Sequence, residues 1–170
     1  MKILPIAVLA DNYAYLIIDE ATKEAGVVDP SEAGPVADAI RKEGVKLSAI
    51  INTHHHWDHV GGNEELVKEF PGVKVYGHQR DKDRTPAITN LVDEGDTLSI
   101  GQHQARFLFI PCHTNGHVAL HFPQEKAVFT GDTFFDLLQE VVYLPFGRLD
   151  LDGRLEKPGR PDQLLDDLAA

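Results

Sequence analysis

The chain is 170 residues long, enough for one domain with its own core, and its 42% hydrophobic and 25% charged residues exclude a disordered or fibrous protein. Its 27 acidic against 16 basic side chains give a formal charge of −11, which argues against nucleic acid or an anionic membrane as the main partner, since both are bound through basic patches. A single cysteine, Cys112, cannot form an internal disulfide, which fits a reducing, cytoplasmic compartment.

The N-terminal MKILPIAVLADNY carries one lysine and a short apolar run without a small-residue cleavage pattern, so it reads as a strand rather than a signal peptide. No apolar run approaches the length of a membrane span. Residues 2–8 and 13–18 are β-rich runs separated by ADN, and EAGVVDP reads as a third strand stopped by Pro30, completing a meander. A helix is expected from about Glu32 to Glu43, with Val36, Ala39 and Ile40 at helical spacing and Gly44 at its end; VKLSAII is then a buried strand running into THHHWDH. Asn63 is a candidate N-cap for a helix over EELVKEF, ended by Pro71 and Gly72, and VKVYG is the next strand. Residues 79–96 are polar and turn-rich, with Asp81, Lys82, Asp83 and Arg84 as a solvated charge run. TLSIG, QARFLFIP, HVALHFP and KAVFTG follow as four strands.

Residues 54–59 crowd four histidines and an aspartate together. If the chain stays extended as it leaves the strand, His54, His56 and Asp58 share one face while His55 and Trp57 point away. His59 falls where the backbone turns toward the helix, a turn that Gly61 and Gly62 allow without a Cβ penalty. Such a pattern suits a pair of metal centres, His54 and His56 on one ion and Asp58 and His59 on another, with zinc or iron chemically suited to these donors. The alternative is a histidine-rich surface loop. Two later strand ends offer further ligands: FIPCHTNGHV presents His113 and VFTGDTFF presents Asp132, so three strand ends aim at one edge. Cys112 is expected to be small and buried, facing away from His113. His117 is read either as a support for the metal shell or as a cap on the next strand, and His78, His103 and His121 as surface or satisfied structural residues.

THHHWDH with PCHTNGH and FTGDTFF, together with LADNYAYLI and VVDP, resembles the metallo-β-lactamase superfamily, and within it the glyoxalase II, or hydroxyacylglutathione hydrolase, group. The resemblance runs over residues 1–135. It implies an α/β fold, the αββα sandwich, with metals at one edge of the two sheets. It assigns His54, His56 and His113 to a first metal, Asp58 and His59 to a second, and Asp132 to a bridge between them. The cofactors implied are two divalent ions, zinc first, with iron or manganese as alternatives. A hydroxide held between the ions would attack the thioester carbonyl of S-lactoylglutathione, with Asp58 orienting it as the catalytic carboxylate. A thiolate leaving group needs little protonation, so no general acid is required.

The chain also departs from this group. The further histidine of the second metal, in a GHE-like motif after a later strand, has no counterpart after Asp132. Residues 136–170 therefore read as a divergent tail of the same domain, C-terminally truncated, with the group's C-terminal helical domain absent. Within the tail GRL occurs twice, making Arg148 and Arg154 the candidate glutathione contacts, and PDQLLDDLAA resembles a helix. A truncated sheet would expose an apolar edge, which a homodimer would cover. Three other activities remain open: a mononuclear iron enzyme of the persulfide dioxygenase type on His54, His113 and Asp132, a metal-binding but catalytically inactive form, and β-lactam hydrolysis.

Overall fold

The computed structural model describes residues 1–133, 148–149 and 155–156. Six strands, β1 (Lys2–Val8), β2 (Asn12–Ile18), β3 (Glu24–Val28), β4 (Lys46–Ile51), β5 (Lys74–His78) and β6 (Asn90–Val92), form one sheet in sequence order. Four more, β7 (Thr97–Ile100), β8 (His103–Phe109), β9 (Val118–Phe122) and β10 (Ala127–Phe129), form a second, antiparallel sheet. A short pair, β11 (Arg148–Leu149) with β12 (Leu155–Glu156), forms a two-stranded sheet of its own.

The first three strands are joined by hairpins and pair antiparallel; from β3 onward the pairing turns parallel. Parallel neighbours need crossovers. Helix α1 (Ala33–Glu43) supplies the one between β3 and β4, and α2 (Trp57–Val60) with α3 (Asn63–Glu69) the one between β4 and β5. The consequence for function is directional, because β3, β4 and β5 all deliver their C-terminal ends to the same edge of the sheet.

Helix α1 forms where the sequence places it. Ala33, Val36, Ala37 and Ile40 repeat at helical spacing and are buried, and Gly44 ends the helix in the left-handed region at φ 62°, its N–H bonding back to Arg41. The core has two compartments. Leu16, Val27, Ile50 and Val75 face the helices, packing against Val36, Ile40 and Leu66, while Ile17, Val28 and Ile51 face the second sheet, packing against Phe107, Leu120 and Phe122. Neighbours along a strand point to opposite faces, and both faces here are covered, which is why AII in β4 reads as a continuous apolar run rather than an alternating one.

The expected α/β sandwich is present as two face-to-face sheets with a helical layer on the six-stranded one. The helix expected over PDQLLDDLAA lies outside the described residues. Among the described residues no helix is long and apolar enough to cross a membrane. The polar stretch 79–96 differs from expectation: it contains a 3-10 turn at Gln79–Asp81 and the edge strand β6. Three residues are too few to carry a period.

The junction between α2 and α3 also corrects the sequence reading. Asn63 is the first helical residue rather than its cap, and its buried amide bonds Asn52 and the Pro86 carbonyl. Gly61 and Gly62 have ordinary torsions, φ −59° and −85°, so conformational freedom is not why they are glycine. Close approach is the reason: a Cβ on either would lie 2.6 Å from a backbone carbonyl, of Ser31 and Pro30 respectively. Gly62 N–H already donates to Pro30 at 2.8 Å. Gly62→Ala should therefore destabilise the fold by about 1–3 kcal/mol through overpacking, read as a lowered midpoint in thermal or denaturant unfolding.

Candidate metal centre

The end of β4 carries the chain into the site. Asn52, Thr53 and His54 are buried, and the Thr53 carbonyl accepts from Val118 N–H at 2.9 Å, joining the ligand-bearing edge of the first sheet to β9 of the second. His54 and His56 converge as alternation requires, with His54 Nε2 3.1 Å from His56 Nδ1. Alternation stops there. The chain is not extended through Asp58, because α2 begins at Trp57 with His56 as its cap residue, so Asp58 and His59 reach the site from a helical turn. Trp57, at the outer face of that turn, is 71% exposed.

The other strand ends bring two more side chains to the same place. His113, from the turn after β8, places Nε2 2.9 Å from His56 Nδ1. Asp132, following β10, faces both ways. Its Oδ2 is 3.5 Å from His113 Nε2 and 3.8 Å from His54 Nε2, while its Oδ1 is 3.2 Å from His59 Nε2. Two groups of donors result, His54, His56, His113 and Asp132 in one and Asp58, His59 and Asp132 in the other, each with its donor atoms within 4.8 Å of one another. Asp58 completes the second, 3.6 Å from His59 Nε2, and remains about a third exposed.

Behind these donors lies Asp29, at the end of β3 in VVDP. Its carboxylate accepts from Thr53 N–H at 2.8 Å and Thr53 Oγ1 at 2.7 Å, and His59 Nδ1 lies 3.1 Å away. Having donated to Asp29, the Thr53 hydroxyl is left to accept from His54 Nδ1, 3.1 Å away. Both histidines thereby have Nδ1 committed outward and Nε2 turned to the centre. The short helix α2 is held by its carbonyls: Asn12 Nδ2 at 2.7 Å and Ser31 Oγ both donate to Asp58 O, and Asn52 Nδ2 donates to His59 O at 3.2 Å.

The electrostatics divide the two groups. Burial, reinforced by His59 and His117, depresses His54 to about 2, so its ring is neutral and its Nε2 lone pair free. Burial opposes charge on His59 too, but Asp29 and Asp132 on its two nitrogens outweigh it and raise the group to about 10. Asp132 is held down at about 2, burial being overcome by the His59 hydrogen bond and the surrounding imidazoles. The donor set fits a cation on its chemistry. His56 Nδ1 sits within 3.1 Å of two other imidazole nitrogens, and one proton cannot satisfy three converging lone pairs, whereas one divalent ion can.

The remaining sequence candidates sort differently. His55 faces away, toward Asp81. Asp81 is not solvated: its carboxylate is 1% exposed and bonded by Arg84 at 2.7 Å. Cys112 is exposed rather than buried, because the turn after β8 has left the strand's alternation. His117 directly precedes β9; its buried ring stacks on His54 at 4.7 Å, and its Nε2 donates to the Thr130 carbonyl at 2.8 Å rather than to a donor of the centre. His78 pairs with Asp93 at 3.3 Å and stacks on Phe109, and His103 pairs with Glu125 at 2.5 Å, both structural. Arg148 belongs to the backbone of β11, and Arg154 lies outside the described residues. Asp29 was missed as a functional residue, although an aspartate at a strand end before proline was a visible signal.

Residues 9–167 match the Metallo-beta-lactamase superfamily. A hydroxyacylglutathione hydrolase of Gloeobacter violaceus is 50% identical over 127 residues, covering 75% of this chain and 50% of that protein. The chain spans about half the length of the curated relatives it matches. Among solved structures, the B3 metallo-beta-lactamase BLEG-1 superposes with a TM-score of 0.71 at 25% identity, covering 89% of this chain and 78% of that one. TTHA1623, crystallised in a di-iron-bound form, superposes with a TM-score of 0.67 at 25% identity, covering 98% and 84%.

Two outcomes follow from the donor arrangement. An ion held in either donor group should be lost in Asp132→Ala, whereas His113→Ala should weaken only one held in the first, as elemental analysis after dialysis would show. Loading the second group must also displace the proton held on His59 below its raised pKa of about 10. A metal titration at pH 7 to 8 in weak buffer should release about one proton with the second ion, followed with a pH indicator.

Proposed function

Because the chain belongs to the metallo-beta-lactamase superfamily, we propose that it is a metal-dependent thioester hydrolase of the hydroxyacylglutathione hydrolase type, acting on S-lactoylglutathione. The observation that carries this reading is the two-faced carboxylate of Asp132, aimed at both donor groups, in a chain whose 46–50% identical curated relatives bear that name. In this assignment His54, His56, His113 and Asp132 hold the first ion, and Asp58, His59 and Asp132 the second. Zinc is the first candidate on donor chemistry, with iron or manganese next. Bound ions would lower the pKa of a coordinated water toward about 7 and polarise the thioester carbonyl.

The chain's own residues do the rest. Asp58, partly exposed and fixed through its backbone by Asn12 and Ser31, is placed to accept a hydrogen bond from the attacking water and so aim it. Asp29 and Thr53 hold Nδ1 of His59 and His54 and so orient the two rings with Nε2 toward the centre. The thiolate of glutathione leaves without protonation, and no acid is required at the sulfur. Residues 1–135 are assigned as the metal-binding domain and 136–170 as a tail of it, with Arg148 and Arg154 as glutathione contacts. The single exposed cysteine suits a reducing, cytoplasmic setting.

The dioxygenase alternative uses His54, His113 and Asp132, which do converge, but it leaves Asp58 and His59 without a task. Metal content and S-lactoylglutathione hydrolysis should be measured on one preparation. Two ions per chain with turnover are expected; a single iron, with oxygen uptake on a persulfide and no thioester cleavage, would replace this reading with the dioxygenase.

A further inference from the structure

His55 is the one histidine of the 54–59 cluster that belongs to neither donor group. Its ring nevertheless lies edge-on against His56, with centroids 5.0 Å apart. Its Nδ1 is 3.1 Å from Asp81 Oδ2, close enough for an ion pair though not aligned as a hydrogen bond, and neither atom has another polar partner among the described residues. A buried carboxylate oxygen and a buried ring nitrogen with no other partner depend on each other.

Asp81 is itself rigidly held. It sits in the 3-10 turn after β5, its carbonyl accepts from the N–H groups of Arg84 and Thr85 at 2.9 Å, and its Oδ1 accepts from the Arg84 guanidinium at 2.7 Å. The same carboxylate presses on a second ligand-bearing segment. A Cβ added to Gly116 would stand 2.5 Å from Asp81 Cγ, so only glycine lets the turn between His113 and His117 pass this close. One side chain thus touches both the turn carrying His54 and His56 and the turn carrying His113.

We propose that Asp81 is a positioning residue for the first donor group: through His55 it fixes the His56 ring, and against Gly116 it sets the turn that presents His113. This rests on the metal-centre reading above. Support one shell out from metal ligands commonly changes affinity by about 10–100-fold, and because Asp81 acts through a residue that is not itself a ligand, the low end of that range applies.

The test is a Co2+ titration of the metal-free full chain, followed by d–d absorption and competed with a chelator, on wild type, Asp81→Asn, His55→Ala and the double variant. The isosteric Asp81→Asn keeps the volume against Gly116, and His55→Ala reports on the same link where Asp81→Asn fails to fold. The first Co2+ should bind about tenfold more weakly in each single variant, with an altered d–d band, and the double variant should lose little more than either one. Wild-type affinity and spectrum in both single variants, or losses that simply multiply in the double, would overturn the proposal. Wild type that binds no Co2+ would overturn it together with the metal-centre reading, whereas bound metal with unchanged variants leaves that reading standing.

Discussion

A carboxylate buried at a strand end must have its lone pairs satisfied, or the charge would cost several kcal/mol. Asp29 meets that requirement with Thr53 N–H, Thr53 Oγ1 and His59 Nδ1, and the whole centre inherits its geometry from this arrangement. The first two contacts fix the end of β4 against the end of β3. The third orients a ring arriving from α2, and the threonine passes the constraint to His54. Asp29 takes a left-handed backbone conformation, φ 50°, to aim its side chain this way, one that aspartate tolerates better than most residues. Parallel pairing of β3 and β4 is thus linked to the direction of two imidazole rings by four hydrogen bonds.

The same network makes the two donor groups unequal. The first has three imidazoles and a carboxylate, with His54 neutral; the second has one imidazole that holds a proton against two carboxylates. Proton and metal compete for the same lone pair on His59, while at His54 the protein has already excluded the proton. Since Asp132 belongs to both groups, an ion in the first changes the field felt by the second. The overall charge of −11 is favourable to cations in general.

Much of this was legible in the sequence where chemistry and period coincide. β1, β2, α1 and β4 were readable because their apolar spacing is unambiguous, and His54, His56, Asp58, His59, His113 and Asp132 because each follows a strand end. What was not legible depends on contacts made at a distance. Gly61 and Gly62 looked like torsional hinges, yet the close carbonyls of Ser31 and Pro30 explain them. Asp81 looked solvated among charged neighbours, because nothing in the local sequence announces that His55 and Gly116 will close over it. Cys112 was assigned by alternation past the end of β8, where alternation no longer applies. For the two glycines and Asp81 the deciding partner lies in another segment, more than twenty residues away.

The placement of Trp57 gives the protein a built-in optical reporter. It is the chain's only tryptophan, it stands largely in solvent, and its neighbours in sequence are His56 and Asp58, one from each donor group. Its emission therefore originates on the short helix that carries Asp58 and His59, with no second indole elsewhere to dilute it. Quenching by a paramagnetic ion, or a shift in emission as a bound molecule displaces water from the ring, would be a signal from this one locus, available without a label.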